Sequence, residues 1–440
     1  MPIALASESH PTVQDTLPST SKQASSAGTR RRAKIAYFVS HPIQYQAPLL
    51  RRIAQEPDIA LKAFFSSDQS VRGYLDSGFG VRVQWDVPLL DGYESEFLPR
   101  IGDGDTIGFA RPLNWGVFHR LRRGGFDAVW VFGYNRLVCL QAIVAAKVLG
   151  IPVILRVESN LRLQRSPLKL AAKRLFFHLL RPGVACVVPI GKHNRAYWQY
   201  YWGENFPAFP MPYAVDNEFF QRKSAEAAPH REAFRQALGL RPGMPIILYA
   251  SKLQARKRCI DLVDAFLRLA AESGGEPPAC LLIVGDGEER AAIEARVRAS
   301  GTPHIRMLGF RNQTELPAFY DLCDVFVLPS LSETWGLVVN EVMNAGRPIV
   351  VSDQVGCQPD LVQDGFNGFV FPAGDVDGLT ACLRRLVHSA ELRESMGRNS
   401  RRLIQEYGFE QDVEGLRAAV AHVVPGFALS ANRQPGDQST

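Results

Sequence analysis

The segment DVFVLPSLSETWGLVVNEVMNAGRPIVVS (residues 324–352) contains two apolar runs, DVFVLP and PIVVS, on either side of a stretch with helical spacing. Runs that are apolar throughout, rather than alternating, are typical of strands buried on both faces of a parallel sheet. Ser332 is predicted to cap the helix between them, and Gly346 to end it. The segment therefore predicts a strand–helix–strand unit of a parallel α/β sheet.

Outward from this segment, the same kind of apolar run recurs in two series. The first series is KIAYFV (34–39), DAVWVF (127–132), PVILRV (152–157) and VACVVP (184–189), and the second is PIILYA (245–250), ACLLIV (279–284), DVFVLP (324–329) and PIVVS (348–352). Segments with helical spacing separate these runs, so the pattern predicts an α/β protein with two doubly wound, Rossmann-like domains. We expect a ligand at the carboxyl ends of both sheets, in the cleft between the domains.

Lapses in the apolar periodicity set the expected domain boundaries, with the interdomain break near QRKSAEAAPHRE (221–232). The first residues are rich in Ser, Thr, Gln and Ala, a composition typical of disorder. The expected organisation is a disordered leader (1–32), an N-terminal domain (33–224), a C-terminal domain (225–407), a helix that packs back on the N-terminal domain (408–424) and a loose tail (425–440).

The composition excludes several classes of protein. The chain has 440 residues, 46% of them hydrophobic, and a net charge of +6 from 50 Lys+Arg and 44 Asp+Glu, which excludes a largely disordered chain. No apolar run approaches the roughly 20 residues that span a bilayer. The seven cysteines are scattered without a CxxC pair, which argues against a disulfide framework or a zinc site. With no secretory pattern at the start and no nucleic-acid-binding motif, we predict a cytoplasmic protein without a nucleic-acid partner.

Two glutamates of the segment 324–352 are candidates for binding hydroxyl groups. Glu333 stands just before the expected helix, and Glu341 follows eight residues later among valines. A carboxylate in apolar surroundings is costly unless it meets hydrogen-bond donors, and sugar hydroxyls are suitable donors. The free backbone N–H groups near 334–337, where Gly336 permits close approach, would bind an anion. The alternative is that both glutamates form salt bridges in solvent.

Four cations follow the strand PIILYA in the stretch SKLQARKR (251–258). Lys252, Arg256, Lys257 and Arg258 lie at the carboxyl end of a buried strand, where they can neutralise a pyrophosphate. Positive charge early in a helix opposes the macrodipole, which argues against the alternative of a merely solvated helix start. Phe310, at the end of HIRMLGF (304–310), either stacks on a base or packs in the core.

Together these residues resemble the retaining GT-B glycosyltransferases of family 4. That family combines a basic pair five residues apart, a strand–GDG turn and two glutamates separated by seven residues. The corresponding residues are Lys252 and Lys257, Gly285-Asp286-Gly287, and Glu333 and Glu341. The resemblance covers about residues 33–424 and is strongest after 184. It extends through VVSDQVGCQPDLVQDGFNGFVFPAGDVDGL (350–379).

The resemblance implies a role for each matching residue. Lys252 and Lys257 would bind the donor pyrophosphate, Glu341 the ribose hydroxyls, and Glu333 the transferred sugar. The implied catalytic residues are Glu333, Lys257, Lys252 and Glu158, and the implied donor-binding residues are Lys252, Lys257, Gly285, Phe310, Arg311, Glu333, Thr334, Trp335, Gly336, Leu337 and Glu341. Positive charge placed in advance would stabilise the departing nucleoside diphosphate.

The first half of the chain departs from the family pattern at two places. After the first strand, SHPIQYQAPLLRRIA (40–54) lacks the usual pair of glycines. His41, Gln44 and Tyr45 are candidates there for contact with phosphate or acceptor, and an ordinary loop is the alternative. In RVESNLR, Glu158 occupies the position of the family's histidine. Either Glu158 takes over contact with the sugar or acceptor, or the site has lost its activity.

Two further sequence features bear on a metal cofactor and on a contact with the membrane. The Asp-x-Asp matches at Asp103/Asp105 and Asp375/Asp377 do not directly end an apolar strand, so we expect no metal and no other cofactor. The amphipathic segment SPLKLAAKRLFFHLLRPG (166–183) carries Lys169, Lys173 and Arg174 beside apolar residues. A basic amphipathic helix can lie in the interface of an anionic membrane. It can equally be a plain domain helix with a solvated basic face.

The sequence therefore predicts a metal-independent retaining glycosyltransferase, cytoplasmic or peripheral on the inner face of the membrane. Its partners would be a nucleotide-sugar donor and a saccharide or lipid-linked acceptor of cell-surface polysaccharide or lipopolysaccharide biosynthesis. That acceptor class follows from the resemblance alone. The alternatives are a nucleotide-sugar epimerase of GT-B shape and a non-catalytic sugar- or nucleotide-binding protein.

Overall fold

The computed structural model describes residues 32–102, 104–162, 166–275 and 277–427. The expected leader, apart from Arg32, and the expected tail beyond Phe427 lie outside the described residues, as does Asp103 of the first Asp-x-Asp match.

The described residues form sixteen strands, numbered in chain order. The strands are β1 (Ala33–Val39), β2 (Ile59–Phe65), β3 (Tyr74–Asp76), β4 (Val81–Val83), β5 (Glu94–Phe97), β6 (Arg100–Ile101), β7 (Leu113–Asn114), β8 (Ala128–Phe132), β9 (Val153–Arg156), β10 (Cys186–Val187), β11 (Ile246–Ala250), β12 (Cys280–Val284), β13 (Ile305–Gly309), β14 (Val325–Leu328), β15 (Ile349–Ser352) and β16 (Gly368–Phe371).

The α-helices of the described residues are also numbered in chain order. They are α1 (Ala47–Ala54), α2 (Gln69–Arg72), α3 (Val117–Gly124), α4 (Leu137–Leu149), α5 (Pro167–Leu180), α6 (Lys192–Trp202), α7 (Asn217–Ala227), α8 (Arg231–Ala237), α9 (Cys259–Glu272), α10 (Arg290–Ser300), α11 (Leu316–Leu322), α12 (Leu337–Met343), α13 (Gln358–Leu361), α14 (Val376–Val387), α15 (Ala390–Leu403) and α16 (Phe409–Val423). Short 3₁₀ turns occupy Arg181–Gly183, Ala228–His230, Ala255–Lys257 and Ile404–Glu406.

Two six-stranded parallel sheets organise the molecule. The first has the order β10-β9-β8-β1-β2-β5 and the second the order β13-β12-β11-β14-β15-β16. Two small antiparallel hairpins, β3-β4 and β6-β7, belong to the part of the chain that carries the first sheet. We call residues 32–216 the first lobe and residues 217–408 the second lobe. The two sheets confirm the predicted fold class.

The apolar runs became strands because both faces of each sheet are covered. Every residue of β11 and of β12 is buried, as expected for central strands of a parallel sheet between helical layers. Each of the eight predicted runs contains a strand. Of the twelve strands of the two six-stranded sheets, four were missed, namely β2, β5, β13 and β16, and the four short hairpin strands were missed as well. Three of the four missed sheet strands are sheet edges, where weaker burial leaves a shorter apolar signal.

The helix within the segment 324–352 begins later in the chain than predicted. Gly336, with φ of 99°, directly precedes α12, so Ser332 is not the helix cap. This left-handed conformation favours glycine, and a Cβ at Gly336 would also lie 3.1 Å from the Leu328 side chain. The helix ends at Met343, and Gly346 follows it with φ of 67°. Glu333 and its neighbours therefore belong to an extended loop. Within this loop, Glu333 forms an isolated parallel β-bridge with Val355.

The chain enters the second lobe at α7 and returns to the first lobe with α16. The expected boundary at residue 224 falls inside α7, and Phe220 of that helix lies in a hydrophobic cluster of the second lobe. The last helix, α16, packs against the first lobe, where Leu416 and Val420 join a cluster with residues of β1 and β2. Both ends of the second lobe are thus fixed to the first.

Two further observations concern the membrane and the cysteines. Among the described residues, the helices are all too short or too polar to cross a bilayer. All seven cysteines lie in the described ranges, and none is paired in a disulfide.

Candidate active site

Two cavities lie at the carboxyl ends of the sheet strands, and both have walls from both lobes. The wide cavity, of about 610 Å³, is lined by Ser40, Ile43, Tyr45, Phe132, Gly133, Tyr134, Asn135, Arg136, Val157, Glu158, Ser159, Asn160, Lys173, Ser332, Glu333 and Thr334. The narrow cavity, of about 250 Å³, is lined by Gln44, Tyr45, Phe79, Trp85, Ala250, Ser251, Val284, Gly285, Phe310, Arg311, Gln313, Leu316, Tyr320, Leu337, Val338 and Glu341. Tyr45 borders both cavities.

The strand ends explain why these residues meet. The first-lobe wall of the wide cavity comes from the loops that follow β1, β8 and β9. The second-lobe wall of the narrow cavity comes from the ends of β11, β12 and β13 and from the start of α12. Carboxyl ends of parallel strands share one edge of a sheet, which is where ligands bind in open α/β sheets.

Lys257 and Glu333 form an ion pair beside the wide cavity. The ammonium of Lys257, the buried residue of the 3₁₀ turn after β11, donates to Glu333 Oε2. Arg256 Nη1 lies 3.8 Å from the same oxygen. Burial, together with the charges of Arg256 and Lys252, lowers the pKa of Lys257 to about 7. The contacting carboxylate of Glu333 favours the charged ammonium, so a buried pair of opposite charges stands next to the cavity.

Lys252 is paired with a carboxylate of the other lobe. Its Nζ atom lies 2.7 Å and 3.0 Å from the two carboxylate oxygens of Asp76, at the end of β3. The same Nζ lies 4.6 Å from the centre of the Phe79 ring, a cation–π contact. Burial raises the pKa of Asp76, but the Lys252 ammonium outweighs this effect and the pKa is lowered overall. The two predicted lysines are therefore held by different carboxylates.

The narrow cavity has aromatic walls at one end. Phe310 meets Phe79 edge to face, with ring centres 4.8 Å apart, and Trp85 lines the same cavity. Gly285 follows β12 with φ of 141°, and a Cβ there would lie 1.9 Å from the Ser251 carbonyl oxygen. The first glycine of the GDG turn is thus required by the close approach of two neighbouring strand ends.

The other end of the narrow cavity carries Glu341. The Tyr320 hydroxyl donates to Glu341 Oε2 over 2.5 Å. Burial raises the pKa of Glu341 to about 7, although the hydrogen bond from Tyr320 opposes the shift. Near neutral pH this carboxyl group is consequently poised between its acid and its carboxylate form.

Glu158 lies in the wide cavity between two tyrosines. The Tyr45 hydroxyl donates to Glu158 Oε1 over 3.0 Å, and the Tyr213 hydroxyl donates to the same oxygen. Burial, followed by the charge of Glu158, raises the pKa of both tyrosines. They therefore remain protonated donors, and the carboxylate is fixed in the cavity that also contains Glu333.

The three candidate residues after β1 differ in whether they line a cavity. Gln44 and Tyr45 line the narrow cavity. His41 lines neither cavity: its Nδ1 atom lies 2.9 Å from the Ser40 hydroxyl oxygen. Burial, and then the charge of Arg136, lowers the pKa of His41 to about 4, so its ring is neutral at pH 7.

The structure brings most second-lobe candidates to the cavities. Glu333 and Thr334 line the wide cavity, and Gly285, Phe310, Arg311, Leu337 and Glu341 line the narrow one. Lys252 and Lys257 reach the cavity walls through their contacts with Phe79 and Glu333. Trp335 is buried, and its Nε1–H donates to Asn340 Oδ1 over 2.9 Å. Gly336 shapes the loop and lines neither cavity.

Sequence reasoning missed several first-lobe residues of the site. Asp76, Phe79 and Trp85 come from the β3–β4 hairpin and the residues after it, and Tyr213 and Arg136 come from loops. Of these, only Tyr213 lies after residue 184, where the resemblance to the family is strongest. A turn with Gly78 and Gly80 was the available signal for the hairpin, but it did not indicate which side of the molecule the hairpin would cover.

The described residues of the Asp-x-Asp matches have other contacts. Asp105 pairs with Arg72 at 2.7 Å, and Asp377 pairs with Arg268. Asp375 caps α14 by accepting from the Gly378 N–H. Within the described ranges, no group of three or more His, Cys, Asp or Glu side chains is arranged to hold a metal ion. The expectation of a metal-independent protein stays a prediction.

Comparisons with known proteins agree on one family and one fold. The sequence profile of the family "Glycosyl transferases group 1" matches residues 230–403. The alpha-D-kanosaminyltransferase of Streptomyces kanamyceticus is 28% identical over 58% of this chain and 66% of its own length. The chain covers between 33% and 66% of the length of the first curated relatives that it matches.

Solved structures share the two-lobed architecture. Alr3699/HepE of Anabaena, in complex with UDP and glucose, has a TM-score of 0.67 at 17% identity and covers 89% of this chain and 100% of its own. WaaG, a glycosyltransferase involved in lipopolysaccharide biosynthesis, has a TM-score of 0.61 at 16% identity, with coverage of 89% and 100%. Residues 230–403 thus match the group 1 glycosyltransferase family, and the chain has the GT-B fold of these solved structures.

Proposed function

We propose that this protein transfers a sugar from a nucleotide-sugar donor to a saccharide or lipid-linked acceptor, with retention of the anomeric configuration. One observation carries the proposal: the segment from Ser332 to Glu341 borders both cavities. Glu333 faces the wide cavity, whereas Leu337 and Glu341 face the narrow one. A donor that spans the segment would have its nucleoside in the narrow cavity and its sugar at the edge of the wide one.

The contacts of the narrow cavity support its assignment to the nucleoside. Phe79 and Phe310 offer aromatic faces and edges to a base, and stacking of a base on an aromatic side chain is worth about 1–3 kcal/mol. Glu341, once ionised, accepts hydrogen bonds from ribose hydroxyls. The complex of Anabaena HepE with UDP and glucose supports a uridine-type donor for this chain as well.

Stabilisation of the leaving group is the chemistry that the proposed site supplies. Departure of a nucleoside diphosphate builds negative charge, and Lys252 and Lys257 would meet that charge without rearranging the backbone. Lys252 must exchange Asp76 for the diphosphate, and Lys257 is already held close to the wide cavity by Glu333. Holding both substrates in one cleft supplies the orientation. No step requires a metal.

Glu158 is proposed to contact the transferred sugar or the acceptor. It lies in the wide cavity with Glu333 and is fixed by two tyrosine hydroxyls. A donor phosphate oxygen can take the acceptor proton in a front-face route, so Glu158 is not needed as a base. Glu158→Gln is expected to lower turnover about tenfold and to leave nucleotide affinity unchanged. Turnover at the unmodified rate would remove Glu158 from the chemistry.

The acceptor class and a membrane contact extend the proposal. The proposed place in lipopolysaccharide or other cell-surface polysaccharide biosynthesis is consistent with the fold shared with WaaG, a glycosyltransferase involved in lipopolysaccharide biosynthesis. We further propose that the protein works on the inner face of the membrane. Helix α5 exposes Leu168, Leu175 and Leu179 by 80%, 61% and 70%. Such leucines beside exposed Lys169 and Arg174 suit an anionic interface. Lys173 does not, since it lines the wide cavity over the Tyr197 ring.

Liposome co-sedimentation tests the membrane contact. Wild-type protein is expected to sediment with anionic vesicles, and the variant with Lys169→Gln and Arg174→Gln is expected to lose most of this binding. Equal sedimentation of both proteins, or none of either, would contradict the contact.

A thermal-shift screen with UDP-, GDP- and ADP-sugars tests the proposed function itself. Only the true donor should raise the unfolding temperature strongly, because stabilisation grows as RT ln(1 + [L]/Kd). Incubation of that donor without an acceptor then separates transfer from epimerisation, since an epimerase would yield an isomer. Tight donor binding without turnover on any acceptor would favour a binding protein instead.

A further inference from the structure

The wide cavity has an excess of positive charge once its internal pairs are considered. Its two carboxylates already have partners: Glu158 accepts from two tyrosines, and Glu333 accepts from Lys257. Two cations of the first lobe, Arg136 and Lys173, line the same cavity. With Glu333 neutralised by Lys257, the cavity wall carries one carboxylate, Glu158, against two cations. Of these cations, Lys173 is already held over the Tyr197 ring.

Arg136 is the most informative of these groups. It follows β8 and directly precedes α4, is half-buried, and lines the cavity. Within the described ranges, its guanidinium group makes no hydrogen bond or ion pair with another residue. A charge that is partly removed from water without a partner is costly, and five N–H donors remain available on its planar fork. Such a guanidinium group is well suited to bind an anionic ligand.

The surroundings of Arg136 strengthen the case. Helix α4 has 13 residues and begins without a side-chain cap, so the positive end of its dipole lies beside Arg136. His41, whose pKa is lowered to about 4 by burial and by Arg136, adds no charge at pH 7. Asn160 uses its side-chain oxygen to accept from the Arg162 N–H, which leaves the amide N–H groups of Asn160 as donors on the same wall.

We propose that the wide cavity binds an acceptor that carries an anionic group, a phosphate or a carboxylate, and that Arg136 contacts this group. The inference rests on the proposed transferase function and names the acceptor class of that site. An arginine fork matches the two oxygens of a carboxylate or phosphate. The cations of the second lobe, Lys252 and Lys257, serve the donor diphosphate, so the two anions of the reaction are held by different lobes.

Calorimetric titration of the nucleotide-saturated protein tests this assignment. The probes are glucose 6-phosphate, glucuronate, short-chain dihexanoyl phosphatidate and, as the neutral reference, glucose, all added after the donor site is filled with the nucleoside diphosphate found by the thermal-shift screen. We expect at least one anionic probe to bind ten times more tightly than glucose. The phosphatidate distinguishes a lipid phosphate from a sugar phosphate.

Variants of Arg136 complete the experiment. Arg136→Gln is expected to weaken binding of the preferred anionic probe about 10- to 100-fold. Arg136→Lys is expected to weaken it less, because the positive charge is retained although the two-pronged guanidinium group is lost. Arg123→Gln, at an exposed position of α3, is the matched control and should change nothing. Nucleotide affinity and unfolding temperature should stay unchanged in every variant.

Three results would overturn the inference. They are anionic probes that bind no better than glucose, retention of their affinity in Arg136→Gln, and a parallel loss of nucleotide affinity, which would assign Arg136 to the donor. The proposed function fails separately, since a protein that binds no nucleotide fails at the preceding screen, before any acceptor probe is added.

Discussion

The two cavities differ in how their walls are built. The narrow one encloses about 250 Å³, and its second-lobe wall consists of strand ends that carry recognisable motifs. The wide one encloses about 610 Å³, and its first-lobe wall consists of three short loops without such motifs and of Lys173 from α5. Under the proposed function, the nucleoside, which is a fixed chemical unit, is bound by regular elements, whereas the acceptor site depends on loop composition.

The lobes are nevertheless not independent. The first-lobe hairpin and the residues after it contact the second lobe through Asp76, Phe79 and Gln84, whose carbonyl oxygen accepts from the Asn312 side chain over 2.7 Å. The narrow cavity is therefore completed only when the lobes face each other. The following experiments test whether the narrow cavity binds the donor and the wide cavity the acceptor, and they are given from the largest expected effect to the smallest.

Lys257→Met tests the second-lobe cations most directly. Loss of this ammonium removes charge stabilisation of the leaving group, so turnover is expected to fall about 10²- to 10³-fold. Initial rates at saturating donor and acceptor are the measurement. Arg298→Gln, an exposed cation of α10, is the matched control and should keep full activity. Turnover of Lys257→Met within twofold of wild type would contradict the proposed donor site.

Phe79→Ala tests whether a first-lobe residue contributes to the donor cavity. Loss of the ring that meets Phe310 is expected to weaken binding of the cognate nucleoside diphosphate by about 1–3 kcal/mol, roughly 5- to 150-fold. Titration calorimetry measures the affinity, and Phe109→Ala, at an exposed ring of the same lobe, is the control. Unchanged affinity would confine the nucleoside to the second lobe.

The pH dependence of nucleotide binding tests Glu341. Burial raises the pKa of Glu341 to about 7, so the carboxylate that accepts ribose hydroxyls forms as the pH rises through neutrality. Nucleotide affinity is expected to rise a few-fold between pH 6 and pH 8. Glu341→Gln should bind more weakly at pH 8 and lose this rise, while retaining any dependence that comes from the phosphate groups. A rise of equal size in both proteins would remove Glu341 from ribose binding.

The same raised pKa has a consequence for stability. The folded state holds the Glu341 proton more firmly than the unfolded state, whose carboxyl group titrates near its ordinary value of 4.5. The contribution of this group to the free energy of unfolding is therefore full below pH 4.5 and is lost as the pH rises through about 7.

Chelation of divalent metal is expected to have the smallest effect, none on turnover. Lys252 and Lys257 would supply the positive charge that a metal ion provides elsewhere. Activity is measured before and after EDTA, and again after addition of manganese. Loss of activity that manganese restores would refute the metal-independent mechanism.

Much of the fold could be predicted because its signal is local. Strands such as IILYA of β11 are buried on both faces and apolar throughout, so composition alone marks them. The edge strands β5, β13 and β16 gave weaker signals. The start of α12 was misplaced because Gly336, rather than the polar Ser332, sets the backbone direction at the helix entrance.

The candidate site was predicted unevenly for the same reason. Glu333 and Glu341 lie between two strands that the sequence marks, whereas Phe310 follows β13, a strand that was missed; the structure brings all three to the cavities. Trp335 packs in the interior instead. Tyr213 and Asp76 meet their partners Glu158 and Lys252 across loops and lobes, and no local pattern encodes such contacts.

The two parallel-sheet lobes and many of the residues at their strand ends could be predicted from the sequence, because strands that are buried on both faces are apolar throughout and recur along the chain. Which of those residues face one another could be seen only once the two lobes were placed together. Asp76 and Lys252 are 176 residues apart and yet form an ion pair, and Arg136 faces the wide cavity while Lys257 is held by Glu333. The distances across a cleft depend on how two separately folded sheets are oriented, and that orientation has no local signature.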